Sequence, residues 1–133
     1  MRQNATIWLV DDDEHVVDIV SRAFKLENLT CEVICFPNSK TLLDEIAKNS
    51  TLPSVLVIDY YLPDEDGLRL IERLRNNPTT QSLRTVLFSQ QLKTEVVLKA
   101  EALDVYQVAP KPASFQEWRL FADELCLAGY FSR

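Results

Sequence analysis

The sequence predicts an α/β fold in which five parallel strands form one doubly wound sheet. Apolar runs alternate five times with amphipathic runs along the 133 residues. Apolar runs such as residues 55–58 contain no polar residue, which is typical of strands that helices cover on both faces. The length suits one ordinary domain and no linker rich in proline, glycine or serine divides the chain, so we expect residues 1–133 to form a single domain.

In the first half of the chain, a helical pattern follows each predicted strand. We predict strands at residues 6–10 and 31–36, and helices at residues 15–25 and about 39–47. Asp13 and Glu14 precede the first helix, where carboxylates accept hydrogen bonds from free N–H groups and face the positive end of the helix. Asn38 or Ser39 is the expected cap of the second helix.

The second half of the chain repeats the same order. We predict strands at residues 55–58, 85–88 and 105–109, a helix at about 68–75, and a fourth helix marked by Val96, Val97, Ala100 and Leu103. The stretch Ser114-Phe115-Gln116-Glu117 is a capping box and opens the fifth helix. The buried face of that helix is expected to contain Phe115, Trp118, Ala122 and Leu125.

The composition argues against several functional classes. The formal net charge of −6 and the lack of a basic stripe disfavour direct binding to nucleic acid or to an anionic membrane. No apolar stretch approaches the roughly 18 residues of a membrane span, and the N-terminus lacks the apolar region of a signal peptide. The two glycines, Gly67 and Gly129, are too few for a glycine-rich nucleotide-binding loop.

The three cysteines, Cys31, Cys35 and Cys126, form no metal-binding motif. Cys31 and Cys35 are four positions apart on a predicted strand, which is too far for easy bridging. We therefore interpret all three as reduced core residues and expect a cytoplasmic protein.

Polar residues of complementary chemistry follow four of the predicted strands. Asp11 and Asp12 follow the first strand, and Asp59 ends the third. These strands are neighbours in a doubly wound sheet, so we expect their carboxylates to meet at one edge. Clustered carboxylates raise each other's pKa or recruit a cation, and oxygen ligands without His or Cys favour Mg²⁺ over Zn²⁺. Ser89 and Lys111, after the fourth and fifth strands, add a hydroxyl and an ammonium, and the whole set describes a phosphoryl site.

These motifs resemble those of response-regulator receiver domains in two-component signalling, from residue 6 to about residue 128. The residues that carry the resemblance are Val10-Asp11-Asp12, the stretch from Asp59 to Gly67, Ser89 and Lys111-Pro112. The resemblance implies a flavodoxin-like receiver fold of five βα units and a signalling domain rather than an enzyme. It also implies a histidine kinase or histidine phosphotransfer protein as the phosphoryl donor, and a downstream protein as the target.

The resemblance implies a role for each residue of the site. Asp59 becomes the aspartyl phosphate, Lys111 pairs with the phosphoryl group, and Ser89 hydrogen-bonds to that group and shifts when it arrives. Asp11 binds the ion mostly through water. The full set of implied Mg²⁺ ligands is Asp11, Asp12, Asp59 and the backbone carbonyl of Tyr61.

Three positions depart from the usual family pattern. Gln90 stands where a small residue is usual. Val108 stands where a switch aromatic is usual, and Tyr106 lies at the start of the predicted strand instead. Pro110 removes a backbone donor just before Lys111. These departures leave open whether the hydroxyl of Ser89 acts together with an aromatic side chain, as is usual in the family. They do not affect the residues expected to carry the phosphorylation chemistry.

Tyr61 and Gln91 lie two positions after Asp59 and Ser89, respectively. In the family that this chain resembles, side chains at these places influence the attack of water on the aspartyl phosphate. Our hypothesis is that two large groups here screen the phosphoryl group and lengthen its lifetime.

The residues leave two other functions open. Residues 11–13 fit the D-x-D motif of a haloacid-dehalogenase-like phosphatase, although residues 14–15 do not continue that motif and the chain is short for that fold with a cap. The second alternative is a receiver-shaped binding module that is never phosphorylated, and Gln90 and Val108 motivate it.

The fifth predicted helix lies near the end of the sequence, and this favours a stand-alone receiver over part of a larger regulator or hybrid kinase. A homodimer through the surfaces of the fourth helix, fifth strand and fifth helix also remains open.

Overall fold

The computed structural model describes residues 5–26, 31–48 and 51–130, in which strands and helices alternate. The strands are β1 (Ala5–Val10), β2 (Cys31–Phe36), β3 (Val55–Asp59), β4 (Thr85–Ser89) and β5 (Gln107–Pro110). The helices are α1 (Glu14–Leu26), α2 (Ser39–Ala47), α3 (Gly67–Arg75), α4 (Thr94–Ala102) and α5 (Phe115–Tyr130). All strand pairs are parallel in the order β2-β1-β3-β4-β5, which confirms the predicted doubly wound sheet.

Helices cover both faces of the sheet and divide the core into two halves. Successive side chains of a strand point to opposite faces. Val55 and Val57 of β3 therefore pack with α1 and α5, whereas Leu56 and Ile58 pack with α2, α3 and α4. Every residue of β3 and β4 is buried, which explains the uninterrupted apolar run in β3. Among the residues described, no helix is both long and apolar enough to cross a membrane.

The ends of the strands differ from the ends of the apolar runs. β3 includes Asp59 and β4 includes Ser89, because both residues pair with the neighbouring strand. β5 begins at Gln107 rather than at residue 105, because the N–H of Val105 donates to the Ala100 carbonyl and closes the end of α4. The polar side chains of Asp59 and Ser89 are thus held by the sheet itself.

Side chains cap the helices as the sequence indicates, with two refinements. Asn38 rather than Ser39 is the N-cap of α2, and its Oδ1 accepts a backbone N–H of the helix at 2.8 Å. Ser114 Oγ accepts the Glu117 N–H at 3.1 Å, as in a capping box. Glu117 Oε1, however, accepts the N–H of Ala113 rather than that of Ser114.

The buried face of α5 differs from the prediction at its first residue. The buried residues of this face include Trp118, Phe121, Ala122, Leu125, Cys126 and Ala128. Phe88 of β4 packs edge-on against Trp118, with ring centroids 5.8 Å apart. Phe115 is 38% exposed, so its predicted place in the core is wrong. Phe115 begins the helix, where no preceding helical turn shields its ring, and Phe121 contributes the second aromatic ring to the core.

Two of the cysteines are joined, which corrects the prediction that all three are reduced. Cys31 at the start of β2 and Cys126 in α5 form a disulfide, with their Cα atoms 6.1 Å apart, whereas Cys35 is free. Cys31 and Cys35 are indeed unpaired with each other, as expected within one strand. Packing of α5 beside β1 and α1 instead brings together two cysteines that are 95 positions apart in the sequence.

We expect the disulfide to stabilise the fold mainly by constraining the unfolded chain, because it closes a long loop. In non-reducing buffer, replacing both Cys31 and Cys126 by Ser should lower the free energy of unfolding by about 2 to 4 kcal/mol. Urea denaturation followed by tryptophan fluorescence measures the difference. Cys35→Ser is the matched control and should have a much smaller effect. A parent protein whose stability is unchanged by dithiothreitol would contradict the bond.

Candidate functional site

The ends of β1 and β3 bring three carboxylates together. Asp11 follows β1, and its N–H donates to the Phe36 carbonyl of β2 at 3.0 Å, while Asp59 ends β3 and pairs with Phe88 of β4. Asp11 and Asp59 are only 1% and 4% exposed, whereas Asp12 is exposed at the rim. One carboxylate oxygen from each of the three aspartates lies within 4.8 Å of the others. The structure thus brings together the acidic residues that the sequence predicted.

Lys111 lies between the two buried carboxylates. Its Nζ is 3.0 Å from Asp11 Oδ2 and 3.3 Å from Asp59 Oδ2, and its side chain is 10% exposed. Its backbone N–H donates to the Ser89 carbonyl at 2.9 Å, which continues the β4–β5 pairing past Pro110. The ammonium therefore has a defined place, where it partly neutralises two like charges that repel each other.

Burial and like charge govern the titration of this cluster. Burial raises the pKa of Asp11 above its ordinary value, although the Asp13 N–H and the Lys111 ammonium lower it. Burial, followed by the charge of Asp11, raises the pKa of Asp59, and Lys111 offsets only part of this effect. Burial lowers the pKa of Lys111, but the two carboxylates raise it by more. Both buried carboxylates are therefore harder to ionise than a free aspartate, because a single ammonium offsets only part of the effect of burial.

The donor set fits a hard divalent cation. Two oxygens that bind the same Mg²⁺ ion, each at about 2.1 Å from it, lie at most about 4.2 Å from each other. The three carboxylate oxygens of the cluster lie within 4.8 Å of one another, which is close to that distance. Lys111 forms an ion pair with Asp11 Oδ2 at 3.0 Å, and this buried carboxylate oxygen has further acceptor capacity. No His or Cys of the described chain joins the cluster, which favours Mg²⁺ over Zn²⁺.

The loop after β3 is folded tightly against the cluster. The N–H of Tyr61 donates to Asp59 Oδ1 at 3.2 Å, and the N–H of Gly67 donates to the Tyr60 carbonyl at 2.7 Å. An isolated antiparallel bridge joins Tyr61 to Asp66. A Cβ atom at Gly67 would lie 2.6 Å from the Asp59 carbonyl oxygen, so close packing against this backbone requires glycine.

The hydroxyl of Ser89 is engaged with its own loop. Ser89 is fully buried, and its Oγ donates to the Gln91 carbonyl at 3.0 Å and accepts the Gln91 N–H at 3.3 Å. The side chain of Gln90, between them, is exposed. The hydroxyl thus lies at the predicted strand end but bonds to the backbone that follows. Because a hydroxyl has a single hydrogen, donating to a group on Asp59 requires Ser89 to release the Gln91 carbonyl.

Two departures from the usual pattern lie on β5. Val108 is half-buried within the strand. Tyr106 precedes the strand, is 52% exposed, and packs against the guanidinium of Arg84, which lies 4.2 Å from its ring centroid. Tyr106 is therefore at the opposite end of β5 from Lys111. Pro110 ends the strand without interrupting the hydrogen bond that Lys111 makes to β4.

Three acidic residues of the loop after β3 have contacts that the sequence did not reveal. Asp64 accepts hydrogen bonds from the start of α2, Glu65 pairs with Arg73 at 2.7 Å, and Asp66 is the N-cap of α3. An aspartate directly before a helical pattern is a recognisable signal for the Asp66 cap. The contact of Asp64 has no such signal, because its partner is 25 positions away.

Comparison with known proteins decides the family. The family model for the response regulator receiver domain matches residues 7–121. The chain belongs to the response regulator receiver domain family. Phosphorylation and Mg²⁺ binding are typical of these signalling domains in two-component systems. Neither the haloacid-dehalogenase-like phosphatase nor a module that is never phosphorylated is favoured by this membership.

Sequence relatives of this receiver domain include regulators and a small uncharacterised protein. The DNA-binding transcriptional regulator NtrC of Proteus hauseri is 28% identical over 115 residues, which cover 86% of this chain and 23% of NtrC. The receiver domain therefore spans about a quarter of the length of that relative. An uncharacterised 14.6 kDa protein of Leptolyngbya boryana is 30% identical over 122 residues, covering 92% of this chain and 90% of that protein.

Solved structures share the fold of the receiver domain. The phosphorylated cyanobacterial phytochrome response regulator RcpA has a TM-score of 0.82 at 17% identity, covering 92% of this chain and 91% of RcpA. The Mn²⁺-bound form of response regulator Rcp1 has a TM-score of 0.79 at 18% identity, covering 91% of each chain.

We expect the charge on Asp59 to destabilise the folded domain at neutral pH when no divalent cation is present. Its pKa is raised, so its contribution to stability is complete below its ordinary pKa of 3.8 and is lost as the pH rises through the folded-state pKa. Asp59→Asn should therefore raise the free energy of unfolding at neutral pH by about 0.5 to 2 kcal/mol. This gain should shrink in acid.

Urea denaturation in EDTA across a pH series measures this effect of Asp59→Asn. Asp44→Asn, which replaces an exposed carboxylate of α2, is the control and should change little. An Asp59→Asn protein that is less stable than the parent at neutral pH would contradict the expectation.

Proposed function

We propose that this receiver domain accepts a phosphoryl group on Asp59 from a phosphohistidine of a histidine kinase or histidine phosphotransfer protein. The position of Lys111 carries the proposal, because its ammonium contacts the buried carboxylates of both Asp11 and Asp59 where β1 and β3 end. Membership of the family supports the same role. RcpA, which shares the fold, is known in a phosphorylated form.

In the proposed transfer, a carboxylate oxygen of Asp59 attacks the phosphorus atom of the donor. A P–O bond forms, the P–N bond to the histidine ring breaks, and its electron pair stays on the ring nitrogen. The N–H of Tyr61 holds Asp59 Oδ1 and the ammonium of Lys111 holds Oδ2, so the carboxylate is oriented before the donor arrives. Lys111 also stabilises negative charge on the transferring group.

The same residues would hold Mg²⁺. Its proposed ligands are Asp11, Asp12, Asp59 and the backbone carbonyl of Tyr61. When bound, Mg²⁺ supplies positive charge that neutralises the phosphoryl oxygens. Lys111 balances only one of the three carboxylate charges, so the cluster alone would repel an incoming phosphoryl group. We therefore expect transfer to depend on a divalent cation.

A phosphoryl group on Asp59 would compete for nearby donors. We infer that Ser89 exchanges the hydrogen bond that it donates to the Gln91 carbonyl for one to a phosphoryl oxygen, which loosens the loop between β4 and α4. Val108 has no ring, and Tyr106 lies at the far end of β5. The movement would therefore pass through this loop rather than through a rotating aromatic side chain.

The proposed output of the domain is a changed protein contact. Leu98 of α4 and Leu120 and Leu127 of α5 are 56–60% exposed, and such apolar surface suits a downstream protein. A homodimer through α4, β5 and α5 would use the same leucines.

The net charge of −6 argues against direct DNA binding, so the DNA-binding role named for NtrC is not extended to this chain. A single domain over residues 1–133 belongs to the same proposal, as does a cytoplasmic location, which rests on family membership because the disulfide removes the cysteine argument for it.

We expect the purified domain to incorporate one phosphoryl group from acetyl phosphate when Mg²⁺ is present. Asp59→Asn should abolish incorporation because the nucleophile is lost, and Asp12→Asn or EDTA should reduce it strongly because cation binding is impaired. Intact-mass spectrometry measures how much phosphoryl group is bound. An aspartyl phosphate is recognised by radiolabel that survives acid but is lost in base. Asp44→Asn is the matched carboxylate control and should be labelled like the parent.

Other outcomes of this assay would contradict the proposal. Undiminished labelling of Asp59→Asn would place the acceptor elsewhere. Hydrolysis of phosphate monoesters that is lost in Asp11→Asn, but not in Asp59→Asn, would favour a phosphatase. No labelling from acetyl phosphate or from a phosphorylated kinase would favour a module that is never phosphorylated.

Tyr61 and Gln91 should slow the hydrolysis of the aspartyl phosphate. Tyr61 is 51% exposed, with its ring edge-on to that of Tyr60, and Gln91 is also exposed, so neither side chain is packed into the core and each could lie over a group on Asp59. Tyr61→Ala and Gln91→Ala should each speed hydrolysis by about threefold to tenfold, or about 0.6 to 1.4 kcal/mol in the barrier. Decay of radiolabelled protein measures the rate, with Gln90→Ala as the control. Equal rates in all four proteins would refute the screening role.

A further inference from the structure

A carboxylate outside the phosphoacceptor cluster ties the loop after β3 to helix α2. Asp64 Oδ1 accepts the N–H of Ser39 at 3.2 Å, while Oδ2 accepts the Ser39 hydroxyl at 2.8 Å and the Lys40 N–H at 3.1 Å. Ser39 is 2% exposed, so its hydroxyl is held in a buried position. One side chain of the loop therefore makes three hydrogen bonds to the first turn of a helix.

These hydrogen bonds complete the cap of α2. The first N–H groups of a helix have no partner within the helix. The side chain of Asn38 accepts the N–H of Thr41, whereas Asp64 accepts those of Ser39 and Lys40. Partial burial raises the pKa of Asp64, but the hydrogen bonds from Ser39 and Lys40 lower it by more. An ionised carboxylate at the start of a helix also interacts favourably with the helix dipole.

The same loop carries groups of the proposed phosphoryl site. Tyr61 provides the N–H that binds Asp59 Oδ1 and the carbonyl that would bind Mg²⁺. The bridge between Tyr61 and Asp66 closes the base of a turn at residues 62–65. Asp64 anchors the outer part of that turn to α2, and the ion pair between Glu65 and Arg73 anchors it to α3, so Asp64 provides the contact of the turn with α2.

We propose that Asp64 is a positioning residue that couples the docking of α2 to the cation and phosphoryl site. This rests on the proposed function of Asp59 and deepens it, because it assigns part of the site geometry to a helix that contributes no ligand. Without Asp64, the turn at residues 62–65 keeps its contact with α3 but loses its anchor to α2, and the Tyr61 carbonyl is held less firmly beside the carboxylates. Coupling is reciprocal, so cation binding also strengthens the contact between Asp64 and α2.

A cap that only stabilises α2 has different consequences. Its loss costs about 1 kcal/mol of stability and leaves the affinity for a ligand elsewhere unchanged. Asn38→Ala removes the other cap of the same helix without touching the loop after β3. It is therefore the matched control for Asp64→Ala.

Calorimetric titration of the full chain with magnesium chloride tests the coupling. Asp64→Ala should weaken Mg²⁺ binding by about tenfold, as expected for loss of a residue that supports metal ligands, whereas Asn38→Ala should change it by less than about twofold. Asp64→Asn retains an acceptor oxygen and should recover part of the affinity. Ser39→Ala should weaken binding in the parent but have no further effect in the Asp64→Ala background.

Hydrogen exchange provides a readout that does not depend on phosphorylation. Mg²⁺ should slow exchange of the Ser39 and Lys40 N–H groups in the parent, because their acceptor is held more firmly. The same addition should have no effect on these two groups in Asp64→Ala.

Three outcomes would overturn the inference. Equal weakening of Mg²⁺ binding by Asp64→Ala and Asn38→Ala would assign both effects to the stability of α2. Unchanged affinity in Asp64→Ala, with a parent that binds Mg²⁺ and is phosphorylated, would overturn the role of Asp64 alone. A parent that binds no Mg²⁺ and accepts no phosphoryl group would overturn both this role and the proposed function.

Discussion

The ammonium of Lys111 lies between two buried carboxylates, and the carboxyl edge of the sheet depends on this contact. Asp11 follows β1, Asp59 ends β3 and Lys111 follows β5, so one cluster joins three strands. Burial of two like charges is unfavourable unless an opposite charge is held beside them. The hydrogen bond from Lys111 N–H to the Ser89 carbonyl keeps that charge in register with β4.

The cluster has a rigid side and a side that is able to rearrange. Asp59 belongs to a strand that is buried at every residue, and the backbone at Gly67 packs directly against it. The hydroxyl of Ser89, by contrast, is held only by the neighbouring backbone of Gln91 in the described structure. Such an arrangement suits a domain in which a charge added at a fixed place releases a local loop.

The parallel strands, the neighbouring positions of β1 and β3 and most residues of the site were predictable from the sequence. Apolar runs in β1, β3 and β4 identified the strands, and a polar residue at the end of each identified the edge where they meet. The exceptions depended on contacts between distant residues. Phe115 has the correct helical spacing but begins its helix exposed, and Cys31 is bonded to Cys126 through the packing of α5.

By itself, the sequence determined the parallel sheet and the set of residues available for phosphoryl chemistry, because hydrophobic periodicity and strand-end polar residues are local properties. Only the tertiary structure decided how these residues are connected. It placed Lys111 against Asp11 and Asp59, bonded the Ser89 hydroxyl to its own loop, and attached Asp64 to the start of α2. Hydrogen bonds and ion pairs require distances of a few ångströms between chain segments far apart in sequence, and only the packing of helices on both faces of the sheet establishes those distances.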